Sequence, residues 1–83
     1  MTLENSIPIM SLTSNEFDVL LRLYESRSGR ALFMGERAKN ARRLCFKNPP
    51  LCGGYEMGND SFVASITPAG SLFVNERLMA EAA

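Results

Sequence analysis

The chain contains no histidine and only two cysteines among its 83 residues. Without an imidazole, the common general base and metal ligand near neutral pH is missing. Cys45 and Cys52 alone are too few thiols for a zinc framework. No glycine-rich phosphate loop is present, no Ser or Cys has a base nearby in sequence, and the acids are scattered singly. No enzyme is therefore expected, and no cofactor or metal. No apolar run approaches the ~20 residues that span a bilayer, so no membrane partner is expected. The opening MTLENSIPIM has an acid and no basic stretch, unlike a secretory signal, and a reducing cytoplasm is the expected compartment. A bridge between Cys45 and Cys52 across the intervening Pro49-Pro50 is accordingly not expected. Cys45 reads as a small apolar helix residue.

What is present describes one folded domain. Eighty-three residues with 46% apolar content allow a single modest core, and a stability of ~4–12 kcal/mol is expected. Formal charge sums to zero, but its distribution does not. Residues 1–21 carry only Glu4, Glu16 and Asp18. Residues 22–47 hold eight of the nine basic residues against Glu25 and Glu36, and the remainder is acidic again. One basic region on a dipolar protein is the pattern of a surface offered to something negative.

That region centres on ERAKNARRLCFK, residues 36–47. At 100° per residue, Met34, Ala38, Ala41 and Cys45 share one face with Leu44 beside them. Lys39, Asn40, Arg43 and Lys47 fall opposite, flanked by Arg37 and Arg42. Pro49 and Pro50 end the helix by Asn48. Small apolar residues inside and cations outside describe a helix seated on a core with its basic face turned outward.

The flanking segments supply a scaffold. Residues 1–11 read as an N-terminal arm or edge strand around Ile7-Pro8-Ile9, and residues 12–80 as the domain. Thr13 and Glu16 form a capping box, and Leu12 with Phe17 a hydrophobic staple, opening a helix whose stripe is Phe17, Leu20, Leu21 and Tyr24, widened by Val19 and Leu23. Asp18 and Arg22 are spaced to pair. RALFM, residues 30–34, fits either a helical turn or a short strand. Tyr55–Met57 and Ser61–Ile66 form a hairpin about Gly58-Asn59-Asp60, with Asn59 suited to a left-handed backbone and Phe62, Ala64 and Ile66 facing the core. Thr67 caps a last helix with Pro68 at its first position. Leu72, Phe73 and Met79 spread widely around that helix, which predicts a homodimer contact there.

Leu12-Thr13…Glu16-Phe17-Asp18-Val19-Leu20, the basic helix, the hairpin and Ile66-Thr67-Pro68-Ala69-Gly70 together resemble a small winged helix-turn-helix domain. The group is that of bacterial and phage multiple-antibiotic-resistance-type regulators, and the resemblance covers residues 12–78. It implies an α+β fold of three helices with a β-hairpin wing. It also implies a transcriptional regulator that sets a recognition helix in the major groove of double-stranded DNA. The helix bearing Arg37, Lys39, Asn40, Arg42, Arg43 and Lys47 stands where that recognition helix belongs. Arg37, Lys39 and Asn40 are expected at base edges, Arg43 and Lys47 at phosphates. The shrunken or missing helix before the recognition helix, the acidic hairpin tip and the pI of about 6.2 depart from that pattern. A second expectation follows from these departures. The basic face would instead meet an acidic protein surface, as in small phage or mobile-element proteins that block a host machine, anti-CRISPR proteins among them.

Overall fold

The structure is a computed structural model and describes residues 11–82. The expected arm, residues 1–11, lies almost wholly outside the described residues. Three helices and a three-stranded antiparallel sheet follow in the order α1 (Ser14–Glu25), β1 (Arg30–Met34), α2 (Glu36–Cys45), β2 (Cys52–Gly58), β3 (Ser61–Ile66) and α3 (Pro68–Ala82). The strands lie in the order β1-β3-β2, so the hairpin partner β3 is central and the first strand closes on it from the other side.

The capping box opens α1 as expected. Glu16 N–H donates to Thr13 Oγ1 at 3.1 Å, and Thr13 N–H donates to a Glu16 carboxylate oxygen at the same distance. The stripe is rotated from the expected one. Val19, Leu20 and Leu23 are fully buried, while Phe17, Leu21 and Tyr24 pack along its margins. The reason is that α1 meets both α2 and α3, and its centre line falls between them. Asp18 and Arg22 pair at 3.2 Å in solvent, an interaction expected to be worth only a few tenths of a kcal/mol.

RALFM resolves as a strand. Ile66 N–H donates to Gly29 O, which delivers the chain into register opposite β3. Arg30 faces Ser65, Leu32 faces Val63, and Met34 faces Ser61. Gly35 then turns the chain directly into α2 with φ of 63° and ψ of −130°, a conformation that a side chain rarely tolerates. Its N–H donates to Asp60 O at 2.9 Å, so the hairpin tip is tied to the start of α2. Gly58, with φ of 141°, and Asp60, with φ of 56°, carry the positive φ values of that tip, and not the expected Asn59.

The sheet's inner face carries Phe33, Phe62 and Ala64, all buried, and α2 lies across it through Ala38, Ala41 and Leu44. Thr67 caps α3, its Oγ1 accepting from Gly70 N–H at 3.0 Å and donating to Pro50 O at 2.8 Å. Gly70 permits close packing at this point. A Cβ there would collide with the Leu51 carbonyl oxygen and the Ile66 side chain. The Thr-Pro-x-Gly sequence is thus a cap and a contact in one turn. Beyond Val74, α3 is exposed on all sides. None of the helices among the described residues is long and apolar enough to cross a membrane.

Leu20→Ala is expected to cost about 2–5 kcal/mol, and Thr13→Ala about 1 kcal/mol, in urea or thermal unfolding. Gly70→Ala is expected to cost roughly 1–3 kcal/mol or more although alanine is the better helix former, because the added methyl has no space. A neutral Gly70→Ala would contradict the seating of α3 on Leu51.

Candidate functional site: the outer face of the second helix

The small residues of α2 determine what its basic residues can do. Ala38, Ala41 and Leu44 are fully buried, so the helix sits deep between α1 and the sheet. Met34 belongs to β1 and is exposed, so it does not extend the helical face that the sequence pattern assigned to it. Without it the buried face is centred nearer Leu44, and Asn40, one turn before Leu44, falls on its edge.

Asn40 is therefore not on the outer face. It is only 6% exposed, and its Oδ1 accepts from Arg43 Nη1 at 3.2 Å. An amide so placed orients an arginine and is not presented to a base edge. The helix also ends two residues earlier than expected, at Cys45 with Phe46 as its cap. Lys47 lies past the end and approaches Glu16 at 3.5 Å, tying this turn to the capping box of α1. Because Glu16 is buried, its charge is matched by both the lysine and the cap, and no buried side-chain polar atom among the described residues lacks a partner.

Arg42 is committed as well. Its Nε and Nη2 donate to the two Glu56 oxygens at 2.6 and 2.7 Å, and its guanidinium stands 5.6 Å from the Phe62 ring centre. A two-pronged bond of this kind fixes orientation as well as distance. It joins the last turn of α2 to β2. The hydrogen bond from Arg42 holds the Glu56 carboxyl below its ordinary range, against an opposing effect of burial and with a still smaller charge effect from Arg42 in the same lowering direction. The bridge is thus complete above the ordinary glutamate pKa and weakens as pH falls through the lowered one.

Three cations of the set remain turned to solvent. Lys39 reaches only the exposed Glu36, at 3.3 Å, while Arg37 and Arg43 form no ion pair among the described residues. The six-residue set expected at the interface thus divides in two. Arg37, Lys39 and Arg43 are exposed, and the other three are engaged. Arg42 and Lys47 hold the helix and its following turn to neighbouring elements, while Asn40 is buried and bonded to Arg43 within the helix.

Other surface features were not legible in the sequence. Phe46 is 86% exposed at the end of α2. Beside it lies an open groove of about 450 Å³, lined by Arg42, Cys45, Phe46, Cys52, Gly54 and Phe62. On the sheet's outer face Leu32, Val63 and Tyr55 form a row across all three strands, with Met34 and Met57 exposed beside it. Of the residues expected at a dimer contact, Leu72 and Met79 are exposed. Phe73 turns inward instead and meets Phe17 edge-on at 6.5 Å between ring centres. Among the described residues no three potential ligand side chains cluster as a metal site.

Burial pushes the Cys52 thiol far above the ordinary cysteine range, with the neighbouring Cys45 adding to the shift, and burial raises Cys45 as well. A raised pKa stabilises the fold fully below the unfolded thiol value of about 8.5 and loses that contribution as pH rises through and beyond it. Between pH 8 and 10, under reducing conditions, unfolding of the wild type is expected to release up to about one more proton than unfolding of Cys52→Ala. The check is the pH dependence of urea midpoints for the two proteins. Equal slopes would place Cys52 in contact with solvent. Comparison with family models, curated proteins and solved structures finds no match to this chain.

Proposed function

We propose that the chain is a small winged-helix-like domain that regulates transcription by binding double-stranded DNA through α2. The observation that carries this reading is the outward face of α2. Lys39 and Arg43 are exposed there, and Arg37 is exposed in the first turn, on a helix whose inner face is locked into the core. The element order supports it: a first helix, a strand, the basic helix, then a hairpin whose second strand pairs with that first strand. In this reading α2 enters the major groove, Arg37 and Lys39 near its start reach base edges, and Arg43 meets phosphate. Asn40 sets the position of Arg43. The Arg42–Glu56 bridge fixes the hairpin against the helix, so both approach the duplex as one body. Two copies joined through Leu72 and Met79 on α3 would present two such helices to adjacent half-sites.

A second reading is favoured by the apolar row Leu32, Val63 and Tyr55. An exposed apolar face on a monomeric domain marks a protein contact, and exposed Phe46 adds to it. The protein would then bind a partner, as in the anti-CRISPR-like alternative, with the sheet as its contact and the cations at the rim.

Fluorescence-anisotropy titration against a random duplex pool at two salt concentrations separates the two. With Arg43 the cation placed on phosphate, log K is expected to fall against log salt with a slope of about −0.9 per bound copy, and Arg43→Ala to remove that dependence. Lys47→Ala is expected to leave the slope unchanged and lower stability. Light scattering at tens of micromolar is expected to report a dimer that Leu72→Asp dissociates. Folded protein that binds no duplex at the lower salt would contradict the DNA reading and leave the sheet-face reading.

A further inference from the structure

We propose that Cys45 and Cys52 form a reversible dithiol–disulfide site that joins the end of α2 to the start of β2. Both are free thiols, and their sulfurs stand 3.6 Å apart, in contact. Disulfide formation needs an approach to about 2.05 Å, a shift within reach of side-chain rotation. The intervening chain is already folded back on itself. Leu51 N–H donates to Leu44 O at 3.1 Å and Lys47 N–H to the same oxygen at 3.4 Å. Little further ordering of the chain is therefore needed to close the bridge.

The two thiols are unequal, and their inequality sets the order of events. Cys52 is fully buried, and its Sγ is 3.4 Å from Ala41 O as a donor. Cys45 is partly exposed and lines the open groove beside Phe46. An oxidant from solvent reaches Cys45 first. With a low-molecular-weight disulfide such as glutathione disulfide, the Cys45 sulfur, having given its proton to water, attacks one sulfur of the oxidant. The oxidant's S–S bond breaks, and one glutathione thiol leaves after taking up a proton. Cys52 then loses its proton, and its sulfur attacks Cys45 in the mixed disulfide, expelling the second glutathione. Two thiols of the protein are oxidised, and one disulfide of the oxidant is reduced to two thiols. Because neither thiol ionises readily in the fold, oxidation is slow near neutral pH and quickens as pH rises.

The bridge changes the molecule where the basic helix ends. It replaces the Cys52–Ala41 hydrogen bond with a covalent link and closes the floor of the groove. The last turn of α2, which carries Arg42 and Arg43, is then fixed to the hairpin at two points, through Glu56 and through sulfur. This site does not depend on what α2 binds.

The test equilibrates the native wild type with glutathione buffers of defined ratio, quenches with acid, alkylates, and counts free thiols by mass. A parallel series runs in denaturing urea. The internal disulfide is expected to form at least about tenfold more favourably in the native protein than in urea. By linkage the oxidised form should melt about 5–15 °C higher. Cys45→Ser, which removes only the accessible thiol, is expected to remain folded and to form no internal bridge. Cys52→Ala is expected to stop at a mixed disulfide on Cys45. Three outcomes would overturn the proposal: two alkylatable thiols persisting in native protein under fully oxidising buffer, addition of two glutathiones in place of the bridge, or a bridge no more favourable in native protein than in urea.

Discussion

The close seating of α2 is the constraint on which the remaining structure depends. Ala38 and Ala41 leave so little side chain on the inner face that the helix approaches both α1 and the sheet, with Leu44 filling the space between them. That depth brings Arg42 in the last turn of the helix within reach of Glu56 and Cys45 at its end within sulfur contact of Cys52. Larger residues at these alanines would lift the helix and lose both contacts together. The position of Gly35 follows from the same demand, because the chain must pass from strand to buried helix in a single residue.

Ion pairing divides the basic region into structural and unengaged members. Arg42 and Lys47 are held by carboxylates from β2 and α1, and each joins α2 or its following turn to a neighbouring element. Their charges contribute little to the outward potential, since each is compensated within a few ångströms. Arg37 and Arg43 retain theirs, and Lys39 shares its charge only with an exposed glutamate in water. The charge asymmetry along the chain therefore overstates the number of cations on offer. It does locate them, since all three lie on one short helix.

Much of the scaffold was legible because its signals are local. The capping box at Thr13 and Glu16, the hairpin about residues 58–60, and Thr67-Pro68 at the start of α3 each depend on residues a few positions apart. The partition of the basic residues was not legible, because the partners that decide it are distant in sequence. Nothing local assigns Glu56 to Arg42 across fourteen residues, or Glu16 to Lys47. Asn40 was misplaced for a related reason. Met34 extends the helical pattern backward when read by period, and only the strand assignment of residues 30–34 removes it. The outer apolar row of the sheet is not legible in the sequence because a strand with Leu32, Phe33 and Met34 in succession has no polar face to mark which side is solvent. The contact of Cys45 with Cys52 depends on how the Pro49-Pro50 turn folds back, which spacing alone leaves open.

The central claim is that a seated α2 presents its outer face to a duplex, and an amide chemical-shift titration with short random duplex tests it most directly. The account predicts graded shifts at Arg37, Lys39 and Arg43 and along the hairpin strand joined to α2 through Arg42 and Glu56, with α1 and the end of α3 unaffected. Shifts confined to Leu32, Val63 and Tyr55, or no response anywhere in a folded protein at low salt, would contradict it.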